Sequence, residues 1–464
     1  MALEHANTKF SLHELGKDMV LGTSCPNDPN GNPYKLAIVP EYAPKIPDPG
    51  IFTFKEPNGS IPTNPTVPDL ALPTLSECAA HLEFLETLYV LRQTILVSKD
   101  FDEAMCIKPA RETKTGVRGD TKTFKDDNLW ERRQQKWPKY IEFAVVRFLA
   151  WRDGLSQLNH ADVTNNTLPP LDVLMVWHAF LLNPRLFRKQ CSKEALFSIK
   201  FPWRRIHDAV NNHDWVFTLP PSAAAHYEEA FEVSSDLLKE ISSLGSLSYT
   251  AKAWLGGLGL QSSCDRTAAM GGLQGFYSQL FDRCDTDLGI LLRDAVIRQT
   301  SFIDKMNTHM WIRSPALQGT VRRGIERYLN FCKLVKVSKS TVVPTLDIDL
   351  VWHTHQCTAK HYGKAIKVLS GKFVNHDDTI DKPKLGDGFG ETRRLYRVHF
   401  GQEYRICGCW DCQALLTELE KAQVWEEEIF DMDKIAAKVK EEVFYHRAVE
   451  WSRRHKATLP MRRN

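Results

Sequence analysis

The residues with the greatest chemical capacity in this chain of 464 residues lie in one short segment, Asp347-Ile348-Asp349-Leu350-Val351-Trp352-His353-Thr354-His355. Carboxylates and imidazoles in so apolar a run cost free energy unless they are paired, bound to a cation or turned towards a cavity. Read as a helix, the segment starts at Thr345 and carries Asp347 and Asp349 in its first turn, where negative charge is favoured. Asp349 and His353, four apart, then share a face. His353 and His355, two apart, diverge by about 200° and cannot hold one ion from a regular helix. As a strand, Asp347, Asp349, Val351, His353 and His355 would all share one face. The matching segment Leu171 to Leu182, apolar almost all round and followed by Asn183-Pro184, suits a buried helix, and helix is the expectation. The expected roles are His353 as metal ligand or general base and Asp349 as its orienting partner or co-ligand. His355 is expected to be a further polar group reaching the cavity from another angle. The structural alternative is a satisfied buried Asp–His pair.

Cys407, Cys409 and Cys412 form a second group. Three thiols so close together suit a soft divalent cation, with zinc the default, and His399 or His376 could complete a tetrahedron. Buried reduced thiols are the structural alternative, and Cys409 with Cys412 also has the spacing of a redox pair. His376-Asp377-Asp378 could lend a ligand or a base to the site, or mark a solvated helix start.

The elements that position these residues occur twice. Pro170-Leu171-Asp172-Val173-Leu174-Met175-Val176-Trp177-His178-Ala179-Phe180 matches the segment Thr345 to His355 in Leu, Asp, Val, Trp and His. The offset is a constant 175 residues (Asp172 against Asp347), and the register persists to Phe187 against Tyr362. Upstream, Ile141-Glu142 with Arg147-Phe148 resembles Ile325-Glu326 with Arg327-Tyr328. A duplicated helical unit accounts for this. Asp172/Asp347 and Trp177-His178/Trp352-His353 occur in both copies and are expected to be structural. Asp349 and His355 stand opposite Leu174 and Phe180 and are the functional candidates.

The expected fold is mostly α, two divergent copies of one helical unit packed into a single body. Residues 1–73, with 12 of the 24 prolines, read as an extended arm. The first unit spans 74–241, with helices from Thr74-Leu75 to Ser98 and over Trp137 to Trp151, and with Arg111 to Asp127 as an exposed loop. A glycine- and serine-rich connection spans 242–275, the second unit 276–412, and a C-terminal helical segment 413–464. The basic end of that segment (Arg453, Arg454, Lys456) reads as compensation of a helix dipole.

These residues resemble the glycine-rich domain protein-like family, particularly its fungal branch, over roughly 74–415. The landmarks are Cys78-Ala79-Ala80-His81-Leu82, Trp137 with Arg147-Phe148, the segment Pro344 to Gln356, Gly371 to Asp378, and Cys407-Gly408-Cys409-Trp410-Asp411-Cys412. The resemblance implies architecture more than chemistry. The chain departs from the family pattern at Phe180, where a second histidine is usual, and it has no glycine-rich tail.

The bulk composition excludes several classes. A net charge of +3, from 60 basic and 57 acidic residues, gives no reason to expect nucleic acid or an anionic membrane as partner. The longest nearly apolar run, Leu171 to Leu182, is too short for the roughly 20 residues that a bilayer requires. Scattered single cysteines and the absence of a signal sequence suit a cytoplasmic protein. Walker, dinucleotide, Gly-x-Ser-x-Gly and His-Glu-x-x-His patterns are missing. The expectation is a metal-assisted or acid-base enzyme acting on a small, largely apolar molecule, in specialised metabolism. The rival is a non-catalytic helical interaction protein with a structural metal site.

Overall fold

Thr74 opens the first long helix by a reciprocal cap: its hydroxyl accepts from the Glu77 amide at 3.2 Å, and the Glu77 carboxylate accepts from the Thr74 amide at 2.8 Å. The helix runs Leu75–Val97, and Ser98 then caps the next one, Lys99–Ala104. In this computed structural model the described residues are 39, 42–54, 70, 72–108, 112–115, 119, 121–124, 126–155, 163–243, 283, 286–338, 340–377, 382–423 and 431–458. They are predominantly helical, as the apolar periodicity predicts, with two short two-stranded ladders. Among them no helix is long and apolar enough to cross a membrane. The glycine- and serine-rich connection and most of the N-terminal arm lie outside the described residues.

The chain divides into two compact units. One comprises Glu86–Val210 and Val216–Asp304, and the other Met1–Leu85, Asn211–Trp215 and Lys305–Asn464. In the Glu86–Val210 unit, the helices Lys136–Leu155 and Leu171–Leu181 pack as a hairpin joined by a buried ion pair. Arg147 Nε donates to Asp172 Oδ2 at 2.7 Å, and the Arg147 terminal nitrogens donate to the Ser234 and Ser235 carbonyls. The guanidinium lies 4.9 Å over the Tyr227 ring. Burial pushes the Asp172 carboxyl up and Arg147 opposes it. Around this pair Trp177 packs on Trp151 and Phe201, and Phe180 meets Phe148 and Phe187 edge-on. The segment expected to be an exposed loop, Arg111 to Asp127, contains an antiparallel hairpin, Glu112–Thr115 against Thr121–Phe124. Its threonine-rich strands suit β structure, and Gly119 at φ +82° supplies the turn.

The other unit is built on the helix Leu317–Val337, which contacts Leu346–Gln356, Ala359–Ser370, Lys382–Phe400 and Trp410–Gln423. Close approach to the last of these requires Gly319, because a Cβ there would stand 2.2 Å from the Thr417 hydroxyl. Arg327 repeats the role of Arg147. Its Nε donates to Asp347 Oδ2 at 2.6 Å, one terminal nitrogen donates to the Tyr404 carbonyl at 2.7 Å, and Tyr396 and Tyr404 lie against the guanidinium. The C-terminal segment forms two helices, Trp410–Gln423 and Met432–His455, and Arg453 and Arg454 pair with Glu450 in the last turns. Of the N-terminal arm, residues 42–54 lie on this unit: Ile51 is buried, its carbonyl accepts from Ser76, and the Ile46 carbonyl accepts from Arg313.

Removing one member of a buried pair strands the other. Asp172→Ala is expected to lower unfolding free energy by about 3–5 kcal/mol. Asp347→Ala should cost less, because the Asp347 side chain keeps 21% of its exposure against 2% for Asp172. Equal midpoints in urea melts of the two variants would contradict this ordering. A pH effect follows from His446, which is buried and donates from Nδ1 to the Arg313 carbonyl, and whose pKa burial lowers to about 4. The unfolded chain binds that proton near pH 6.5, so this contribution is intact above 6.5. It declines by about 1.4 kcal/mol per unit towards pH 4. The melting temperature of His446→Gln should fall less steeply than that of the parent across this window.

Candidate metal centres

The helix Leu346–Gln356 carries Asp349 and His353 on one face, as the four-residue spacing requires. The third member arrives from outside it. After the helix Ala359–Ser370, Gly371 takes a left-handed conformation at φ +71° and turns the chain back. The returning strand is fixed by a relay in which Trp352 Nε1 donates to the Tyr362 hydroxyl at 2.9 Å and that hydroxyl donates to the Val374 carbonyl at 2.8 Å. His376 is thereby held edge-on to Trp352 and to His353.

Three ligand atoms converge. His353 Nε2 lies 3.0 Å from His376 Nε2 and 3.3 Å from Asp349 Oδ1, and His376 Nε2 lies 3.6 Å from the same oxygen. The circle through these atoms has a radius of about 1.9 Å, close to the 2.0–2.2 Å at which nitrogen and carboxylate oxygen bind a metal. His353 is buried, and its pKa is lowered to about 4 by desolvation, with the nearby His376 acting the same way and Asp349 opposing. Burial pushes the Asp349 carboxyl up, but the histidines and Lys305 outweigh it and the net direction is down. A neutral imidazole beside a carboxylate is the protonation state that metals require. Asp349 Oδ1 and His376 Nδ1 are buried and make no hydrogen bond of good geometry. The Asp349 side chain keeps 21% of its exposure, although its Oδ1 is buried.

His355 does not join this group. It is buried on another side of the helix, where Nδ1 meets the Tyr328 hydroxyl at 2.9 Å and the ring stands edge-on to Tyr328 and Tyr362. Its surroundings match those of Phe180, which stands edge-on to Phe148 and Phe187. His376, by contrast, was only loosely legible in the sequence. The signal that locates it is the offset of 175, which places Phe201 opposite it (201 against 376). Phe201 indeed lies 5.0 Å from Trp177 and 5.8 Å from His178, where His376 lies 5.1 Å from Trp352 and 4.6 Å from His353. The counterpart of Asp349–His353–His376 is thus Leu174–His178–Phe201, with one potential ligand in place of three.

The Cys407, Cys409 and Cys412 sulfurs lie within 4.8 Å of one another, with Cys407 and Cys409 at 3.4 Å. The turn is held from both sides: Trp311 Nε1 donates to the Gly408 carbonyl and Gln413 Nε2 to the Cys407 carbonyl, both at 2.7 Å. A Cβ at Gly408 would stand 3.1 Å from Trp311 and 3.3 Å from His309, so a side chain between the first two cysteines would require those rings to shift by a few tenths of an ångström. Bonding to the Cys407 and Cys409 thiols, with burial, raises Cys412 far above an ordinary thiol. A cation would relieve that mutual penalty. Neither expected fourth ligand joins the sulfurs: His376 belongs to the other cluster and His399 is exposed beside Phe400. The His309 imidazole lies against Gly408, between Cys407 and Cys409.

Residues 277–364 match the model of the glycine-rich domain-containing protein-like family. The chain is 27% identical over 275 residues to glycine-rich domain-containing protein 2 of Arabidopsis thaliana, covering 58% of this chain and 30% of that protein. It is 26% identical over 277 residues to glycine-rich domain-containing protein 1 of the same plant, covering 58% of this chain and 29% of the relative. The match over residues 277–364 agrees with the family that the sequence resembles, and the matches do not resolve a branch within it. The match spans less than a third of either relative. No solved structure is significantly similar to the chain.

The edge-on ring pairs give a direct test of His355. His355→Phe alone should lower stability by about 1–3 kcal/mol by stranding the Tyr328 hydroxyl. Adding Tyr328→Phe should recover most of it by recreating the Phe148–Phe180 pair. Additive losses in the double variant would show that the hydrogen bond is not what matters there.

Proposed function

We propose that this chain is a metal-dependent enzyme whose ion is held by Asp349, His353 and His376. The single observation that carries this is the convergence of Asp349 Oδ1 and two imidazole Nε2 atoms, 3.0–3.6 Å apart, about one point. A set of two histidines and one carboxylate leaves coordination positions open and suits iron(II), manganese or zinc. Such an ion would supply Lewis acidity or an activated water to a small molecule entering on the exposed side of Asp349. The protein's own part is positional: the helix fixes two ligands, and the Trp352–Tyr362–Val374 relay fixes the third. The small, largely apolar substrate, the cytoplasmic setting and the role in specialised metabolism belong to the same proposal and are supported by composition alone. So does the reading of the two Trp-His units as copies of one ancestor, supported by the recurrence of the Arg–Asp pair and of the ring contacts.

A second reading is favoured by the three sulfurs. On this reading a structural zinc at Cys407, Cys409 and Cys412 pins the start of the helix Trp410–Gln423 and has no part in a reaction.

Elemental analysis separates the two. Asp349→Leu and His376→Phe install the residues found opposite these positions in the other unit, and each should take one metal equivalent to near zero while leaving the fold intact. Cys409→Ser should remove a different equivalent and lower the melting temperature. Metal that depends only on the cysteines would leave the interaction-protein reading, and unchanged content in the first two variants would refute the proposed centre.

A further inference from the structure

A cavity of about 300 Å³ lies beside the cysteine turn, within the unit that holds both clusters. Three arginines line it (Arg323, Arg327 and Arg405), with Asp347 as its only carboxylate. Both inner guanidiniums are committed on some nitrogens and free on others. Arg327 bonds Asp347, Thr345 and the Tyr404 carbonyl through Nε and one terminal nitrogen, and its other terminal nitrogen is buried without a hydrogen-bond partner. Arg323 bonds Glu420, Gln413 and Thr417 through its terminal nitrogens, and its Nε is buried without one. The hydroxyl of Thr320, on the same cavity, is also buried and unpartnered. Leaving a buried donor unsatisfied is costly, and more so for a charged group. Three such donors on residues that line one cavity therefore point to a missing acceptor.

The cavity also meets the N-terminus of the helix Leu346–Gln356 at Thr345, Leu346 and Asp347. The Thr345 hydroxyl, engaged by Arg327, makes no cap bond, so the positive end of that helix adds to the field of the arginines.

We infer that this cavity is a binding site for a phosphate group. The chemistry required is that of an anion with several acceptor oxygens. The available donors come singly from Arg327, Arg323 and Thr320 instead of as one planar fork. That arrangement suits the oxygens of a tetrahedral oxyanion better than the two coplanar oxygens of a carboxylate. Exposed Arg405 stands at the rim, where it can close over the anion. The site uses none of Asp349, His353 and His376, and stands whether or not those residues hold a metal.

Isothermal titration of the full chain with inorganic phosphate, and separately with phenyl phosphate, at constant ionic strength tests this. At least one should bind with one-to-one stoichiometry, and the tighter of the two names a free or an esterified source. Thr320→Val removes a hydroxyl that has no partner. It should leave the melting temperature of the free protein unchanged or raised while weakening binding about fivefold or more. Arg405→Ala, at an exposed position, should weaken it about tenfold or more. Asp349→Leu should leave phosphate affinity unchanged, which separates this site from phosphate held by a metal. Absence of binding by both phosphates, tighter binding of malonate, loss of binding in Asp349→Leu, or full affinity in both cavity variants would overturn the assignment.

Discussion

The pairing of Arg327 with Asp347 is the constraint on which the metal-capable unit depends. It ties the middle of the helix Leu317–Val337 to the first turn of Leu346–Gln356, and through the Tyr404 carbonyl it also fixes the chain just before the cysteine turn. The face of the second helix is set by that tie, and with it the direction of Asp349 and His353. The same guanidinium, on a residue that lines the arginine-lined cavity, keeps one terminal nitrogen buried without a hydrogen-bond partner. A buried ion pair is a poor source of net stability compared with apolar packing. Here its value lies in orientation, since a point charge with a planar fork specifies rotation of one helix against another more sharply than aliphatic contacts do.

The Arg147–Asp172 pair does the same for the other unit, and the comparison shows how a common frame can carry different contents. Around both pairs the tryptophan and the histidine after it are kept. Three of the positions that change are Leu174 for Asp349, Phe180 for His355 and Phe201 for His376. Two of the three polar residues meet His353, and the third does not. His355 is a core residue whose ring replaces Phe180 and whose nitrogen is matched by a tyrosine in place of Phe148. Polar character in one of the two Trp-His units alone is therefore not in itself a mark of function, because a buried pair of compensating residues produces the same pattern.

Much of the fold was legible in the sequence because its signals are local. Thr74 with Glu77 announces a helix start, proline and glycine punctuate the elements, and apolar spacing gives Leu75–Val97 and Lys136–Leu155 within a few residues of their ends. The pairing of Asp349 with His353 follows from helical pitch. His376 stands 23 residues beyond His353, and its arrival depends on Gly371 and on a tyrosine hydroxyl reaching a carbonyl, neither of which has a periodicity. Arg147 and Arg327 were visible as repeated residues, and Asp172 and Asp347 likewise, but only folded geometry joins them. The cavity was invisible for a different reason: what marks Thr320, Arg323 and Arg327 is the partner that each lacks, which no spacing reveals.

The way His376 is mounted has a kinetic side. Two of the three convergent atoms sit on a helix that moves only if its packing is broken. The third is carried by a short return segment held by the Tyr362 and Ser370 hydroxyls and by ring contacts of Phe373 and His376. An ion held by all three would not have to wait for the helix to open in order to leave. Swinging that segment away exposes it on two ligands, so exchange would be governed by a loop motion far faster than unfolding. Occupancy would then follow the free concentration of the metal in the surroundings over time, instead of being fixed when the chain first folds.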